Sequence, residues 1–235
     1  SSNLACFYPI PNSPKKGRLH GLTNSFWTSI YLASSIHNLS LPKPIGIEDH
    51  ISMPTVVDLR RYMNISEIGF DVGNNFSNVI PYASVSLEEK LSSIGQRMKN
   101  NMFELMKKKN DIYTLKSFDN ILNTPKKSKP PPGCSVELTY VGPIHIKEPI
   151  VDIWCGHSMN VRSSTISMMG FSIVNDNIGR NELVTRFRYS PPYFDDSEAK
   201  NMANVIDFCL KNIEDTMTVN QALEEAASYA KTLND

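Results

Sequence analysis

The sequence is short of the features that most often announce chemistry. Its 235 residues include only four cysteines, Cys6, Cys134, Cys155 and Cys209. None sits in a C-x-x-C pair or near a histidine at zinc-ligand spacing, which argues against a metal site. Charge of neither sign is in excess: 24 Lys+Arg stand against 24 Asp+Glu, so the basic footprint of a nucleic-acid-binding protein is missing. No apolar run approaches the ~18 residues of a membrane-spanning helix, and the opening residues lack the apolar core of a secretory signal. G-x-G-x-x-G, Walker, G-x-S-x-G and H-E-x-x-H motifs are all absent. The expectation is a soluble protein of the reducing cytoplasm, with no metal and no nucleic-acid partner.

What is present suffices for a packed core, since 40% of residues are hydrophobic and 20% charged, outside the range of disordered chains. Residues 1–18, rich in Pro, Ser and Lys, read as an extended lead-in, and 19–235 as one unit. Leu22, Phe26, Ile30 and Ala33 recur at helical spacing, with Thr23 or Asn24 placed to cap. The run HISMPTVVDLRRYM is β-rich. Residues 73–85 alternate as a strand whose end Pro81 demotes to an edge or bulge. Ser86 to Glu89 has the form of a capping box; it opens a predicted helix through Leu87, Leu91, Ile94, Met98, Met102 and Leu105, closed by Lys107 to Lys109.

Three consecutive prolines and four lysines within 116–133 predict an exposed loop. Four β-rich stretches follow: CSVELTYV, EPIVDIWC, SSTISMMGFSIVN and ELVTRFRYS. In the last, Leu183, Thr185, Phe187 and Tyr189 share one face, and Arg186 and Arg188 the other. Asp195, Asp196 or Ser197 caps a helix through Met202, Val205, Ile206, Cys209 and Ile213. Thr218 to Gln221 opens a final helix carrying Ala222, Leu223, Ala226, Ala230 and Leu233. The fold class expected is α+β, a mixed β-sheet with helices packed on it and no regular βαβ alternation.

Candidate chemistry is sparse. The five histidines (His20, His37, His50, His145, His157) are never adjacent. His157, in Gly156-His157-Ser158-Met159, has serines beside it but no orienting carboxylate. Asn75 and Asn78 alternate with apolar residues and need hydrogen-bond partners if interior. Asp58 and Arg60 read as a structural ion pair, and Lys126 to Lys129 as a solvated run.

Several segments, taken in order, resemble the C-terminal lobe of the CoA-dependent acyltransferase superfamily, which includes chloramphenicol acetyltransferase, peptide-synthetase condensation domains and alcohol acetyltransferases. They are the helix from Thr23, Val57 to Arg61, Gly73 to Pro81 with the long helix after it, Val136 to Pro143, and Phe187 to Asp195. The resemblance covers about residues 18 to 215. It implies acyl transfer from a CoA thioester, acetyl-CoA first among them, to a hydroxyl or amine acceptor. The family's His-His-x-x-x-Asp signature, whose second His is the general base, is absent here, and Gly156 to Val161 fails to match it. The resemblance therefore implies a complementary N-terminal lobe carrying that motif. A trimer with sites between copies, and a non-catalytic binding protein of the same fold, are the alternatives. By the same resemblance, the tunnel or lobe interface would hold Asn75, Asn78, Ser163, Ser164, Thr165, Ser167 and Gly170, with 163–175 crossing to the other lobe and offering oxyanion donors.

Overall fold

The structure is a computed structural model describing residues 8–10, 22–62, 76–114, 134–153, 164–189 and 194–233. His157, Asn75, Ser163 and the predicted loop at 116–133 lie outside the described residues. In chain order the elements are β1 (Tyr8–Ile10), α1 (Leu22–Ser40), β2 (His50–Ser52), β3 (Thr55–Asp58), β4 (Phe76–Val79), β5 (Tyr82–Ser84), α2 (Leu91–Lys107), β6 (Cys134–His145), β7 (Ser164–Asn175), β8 (Arg180–Tyr189), α3 (Asp196–Asn212) and α4 (Val219–Thr232).

Six strands form one mixed sheet in the order β1-β8-β7-β6-β3-β4, while β2 and β5 pair separately. β3–β6 and β6–β7 are parallel; β1–β8, β7–β8 and β3–β4 are antiparallel. This is the α+β fold with a mixed sheet that the sequence implies. Within the stretch read as an extended lead-in, residues 8–10 form a strand of the sheet.

α1 lies at the centre of the helical layer. Phe26 to Ala33 are buried without a break, so the helix is covered all round rather than along one stripe. Beneath it, the Trp27 indole donates to Thr55 Oγ1 at 3.0 Å, and Phe26 lies against Gly170 of β7. α2, α3 and α4 flank it. The core joins these helices to one sheet face through Val136, Leu138, Ile166, Met168, Phe187 and Tyr189. The opposite face carries a small second cluster of Ile146, Met169, Phe171 and Ile173.

Several boundaries differ from expectation for local reasons. Pro54 and Pro81 interrupt the two β-rich runs, giving β2 with β3 and β4 with β5 in place of continuous strands. α1 already includes Thr23 and Asn24, so neither caps it. Ser86 to Glu89 forms a turn, with Ser86 N–H donating to Glu89 Oε1 at 2.8 Å. The helix begins only after Lys90, which caps with no side chain, and Leu87 is exposed. The described part of EPIVDIWC, residues 148–153, is not strand: a turn closes with Ile150 N–H on the Lys147 carbonyl at 2.9 Å. Asp195 and Thr218 cap α3 and α4 with complete capping boxes.

The start of α2 is satisfied in another way. Leu91 and Ser92 N–H donate to the carbonyls of Met217 and Asp215, while Val219 and Asn220 N–H donate to those of Glu89 and Leu87. Each helix start thus supplies carbonyls for the orphan donors of the other, around a Lys90–Thr218 bridge.

Candidate functional site

The described helices pack on one face of the six-stranded sheet, and the other face carries the polar side chains that the helical core does not use. Side-chain alternation and the strand registers decide which residues that face holds. Glu137 pairs with Ser167, and Ser167 with Arg188; one step along, Thr139 pairs with Met169, and Met169 with Arg186. Two rows therefore cross β6, β7 and β8. Glu137 and Ser167 are 4% and 2% exposed, and Arg186 and Arg188 are half-buried.

Beyond the rows the pattern is interrupted. β6 has one residue more than β7 between the pairs Tyr140–Gly170 and Pro143–Ser172, a bulge at Gly142, whose φ of 91° suits glycine. Even-numbered β6 residues point at the helices before the bulge and away from them after it. Ile144 and Ile146 consequently join Met169, Phe171 and Ile173 in the second cluster. Arg180 holds 151–153 over this end, donating to the Val151 carbonyl at 2.9 Å and pairing with Glu182 and Asp152. The arginine rows thus border a small apolar core.

Electrostatics mark Arg188. Burial lowers its guanidinium below the usual arginine range, Glu137 opposes that shift, and Arg186 adds to it. Cys209, among the helices, is inert by comparison, since burial pushes its thiol up to about 12 and leaves no thiolate at neutral pH.

The candidates from sequence fall in different places. Ser167 lies in the polar row. Gly170 points the other way: a methyl group there would come within 2.5 Å of Phe26 Cζ, so it packs beneath α1. Ser164 and Thr165 begin β7. That strand pairs with β6 on one side and β8 on the other along most of its length.

Asn78, on edge strand β4, shares the face of Glu137 by register; its buried Oδ1 has no hydrogen-bond partner. Asp58 Oδ1 accepts from both the amide (2.9 Å) and Nη1 (3.2 Å) of Arg60. The pair is exposed on both sides, so it shapes the turn after β3 and clamps no distant element. Glu137 went unnoticed in sequence, where its signal was a charge flanked by Val136 and Leu138. Arg186 and Arg188 were placed on one face, but their partners across the sheet depend on register.

A groove of about 490 Å³ between α3 and α4, lined by Phe208, Glu224, Glu225, Ser228, Tyr229 and Thr232, lies apart from these rows on the helical layer. No cluster of metal-ligating side chains occurs among the described residues. No described helix is long and apolar enough to cross a membrane.

Solved structures share this architecture. A variant of the starter condensation domain of rhizomide synthetase matches with a TM-score of 0.53 at 11% identity, over 93% of this chain and 48% of its own. The X-domain from teicoplanin biosynthesis gives 0.54 at 10%, over 93% and 53%. The epimerization domain from the third module of tyrocidine synthetase B gives 0.52 at 12%, over 98% and 49%. The chain spans about half the length of these structures. No protein-family model and no curated protein matches the sequence. The fold is that of one condensation-domain lobe, the chloramphenicol-acetyltransferase-like architecture that the sequence resembles.

Proposed function

We propose that this chain is the C-terminal lobe of a cytoplasmic acyl-CoA-dependent acyltransferase that acts on a hydroxyl or amine acceptor. One observation carries the reading: nearly the whole chain superposes on half of a two-lobed domain. The sequence adds that no two histidines are adjacent, so the general base has to come from the complementary lobe through its His-His-x-x-x-Asp motif. In the reaction so read, that base removes the acceptor proton as the oxygen or nitrogen attacks the thioester carbonyl. The tetrahedral intermediate then collapses, expelling CoA as its thiol, and the acyl group stays on the acceptor. This lobe supplies a wall of the site, and acetyl-CoA is the first acyl donor to test.

Native mass spectrometry of the protein from its source, with peptide sequencing of what travels with it, tests the reading. The expected result is a complementary lobe bearing the motif, and thiol release from acetyl-CoA by the assembled protein. A chain that travels alone or as its own oligomer, and releases no thiol, overturns it. The binding protein of the same fold is what would then be left.

A further inference from the structure

We infer that the groove between α3 and α4 docks a basic segment of a partner protein, with an arginine side chain laid against the stacked Phe208 and Tyr229 rings and held by Glu224 and Glu225.

The two sides of α4 differ in chemistry. Val219, Ala222, Leu223 and Ala226 are buried in the core. Glu224, Glu225, Ser228, Tyr229 and Thr232 recur at three- and four-residue spacing along the other side, where Phe208 of α3 completes a groove of about 490 Å³. The chain seals Phe26, Trp27 and Phe171 in its interior. Phe208 and Tyr229 stay half-buried, stacked with centroids 4.3 Å apart and planes 8° from parallel. Aromatic faces attract cations, and the flat guanidinium of arginine more often than lysine.

The rim supplies the counter-charge. Elsewhere acids are taken by cations: Glu89 pairs with Arg97, Glu182 with Arg180 and Asp207 with Lys211. Glu225 makes no side-chain hydrogen bond or ion pair among the described residues, and the Glu224 carboxylate accepts only from the neutral Asn220 amide at 2.9 Å. Lys231 lies six and seven residues beyond the two carboxylates, outside the spacings at which helix side chains pair. Ser228 and Thr232 spend their hydroxyl protons on the carbonyls of Glu224 and Tyr229. Two negative charges without a cation, beside aromatic faces, suit a cationic occupant and repel an anion. That occupant is a chain segment because the groove is open, with its polar residues exposed. From Glu224 to Thr232 it follows α4 for about 12 Å, the reach of roughly four extended residues. The surface stands apart from the acyl-transfer reading, so either can fail while the other holds.

The test uses the full chain. The peptide Ac-Arg-Arg-Arg-Arg-NH2 is titrated into wild type, the double variant Glu224→Gln/Glu225→Gln, and Tyr229→Leu at constant physiological ionic strength, and the amide resonances of α3 and α4 are followed by NMR. The expected result is saturable shifts confined to the two helices in wild type, with at least a tenfold weaker affinity in the double variant. Tyr229→Leu, which keeps the charge and loses the ring, should bind at least threefold more weakly. Both glutamates are exposed, so the double variant carries the comparison if Tyr229→Leu fails to fold. Equal affinities in wild type and the double variant, an undiminished affinity in folded Tyr229→Leu, or N-acetylargininamide binding as tightly as the tetrapeptide overturns the docking site.

Discussion

Gly170 shows how one missing side chain sets the distance between two layers. Any Cβ there collides with the Phe26 ring, a rigid, fully buried group under α1. Gly170→Ala should therefore lift α1 off β7 and destabilise the fold by about 1–3 kcal/mol, the usual cost of overpacking a core. Urea denaturation of the two proteins checks this, and an unchanged midpoint would show that the ring can swing aside. The sequence marks the position as a glycine within a strand, which signals either a bulge or a close approach. Only the partner across the core decides between them. Asn78 is the reverse case, because its need of a partner is visible in the alternation and the structure leaves its carbonyl oxygen unsatisfied.

Among the elements, two sequence patterns that look alike behave differently. Thr218 Oγ1 accepts from Gln221 N–H and the Gln221 side chain accepts from Thr218 N–H, whereas Ser86 has only the returning arm from Glu89 and sits in a turn before its helix. Thr218→Ala should cost about 1 kcal/mol, and Ser86→Ala should stay within about 0.5 kcal/mol; paired thermal or urea unfolding measures both. The helices were legible because apolar spacing is a local property. So were β8, whose alternation is clean, and the break at Pro81. The fate of 148–153 was not, because Ile150, Val151 and Ile153 favour a strand while the turn at Lys147–Ile150 and the grip of Arg180 hold the segment elsewhere.

At the scale of the molecule, the α+β class and the order of elements could be read from the chain, while the candidate site could not. The row Glu137–Ser167–Arg188 depends on parallel register between strands whose connection carries no turn signal that fixes it. The same non-locality governs the paired starts of α2 and α4. Since each supplies the acceptors for the other, the amides of Leu91, Ser92, Val219 and Asn220 should gain protection together in pulse-labelled hydrogen exchange during refolding; independent protection of the two pairs would show that the starts are not coupled. There is a consequence for the chain as it is made. Roughly 125 residues separate Leu91 from the carbonyl that it needs, and at 5–20 residues per second that is on the order of ten seconds of translation. For that interval α2 can exist only as a frayed helix with its first amides facing water, and the arrival of residues 215–217 at the ribosome exit is what closes the lobe.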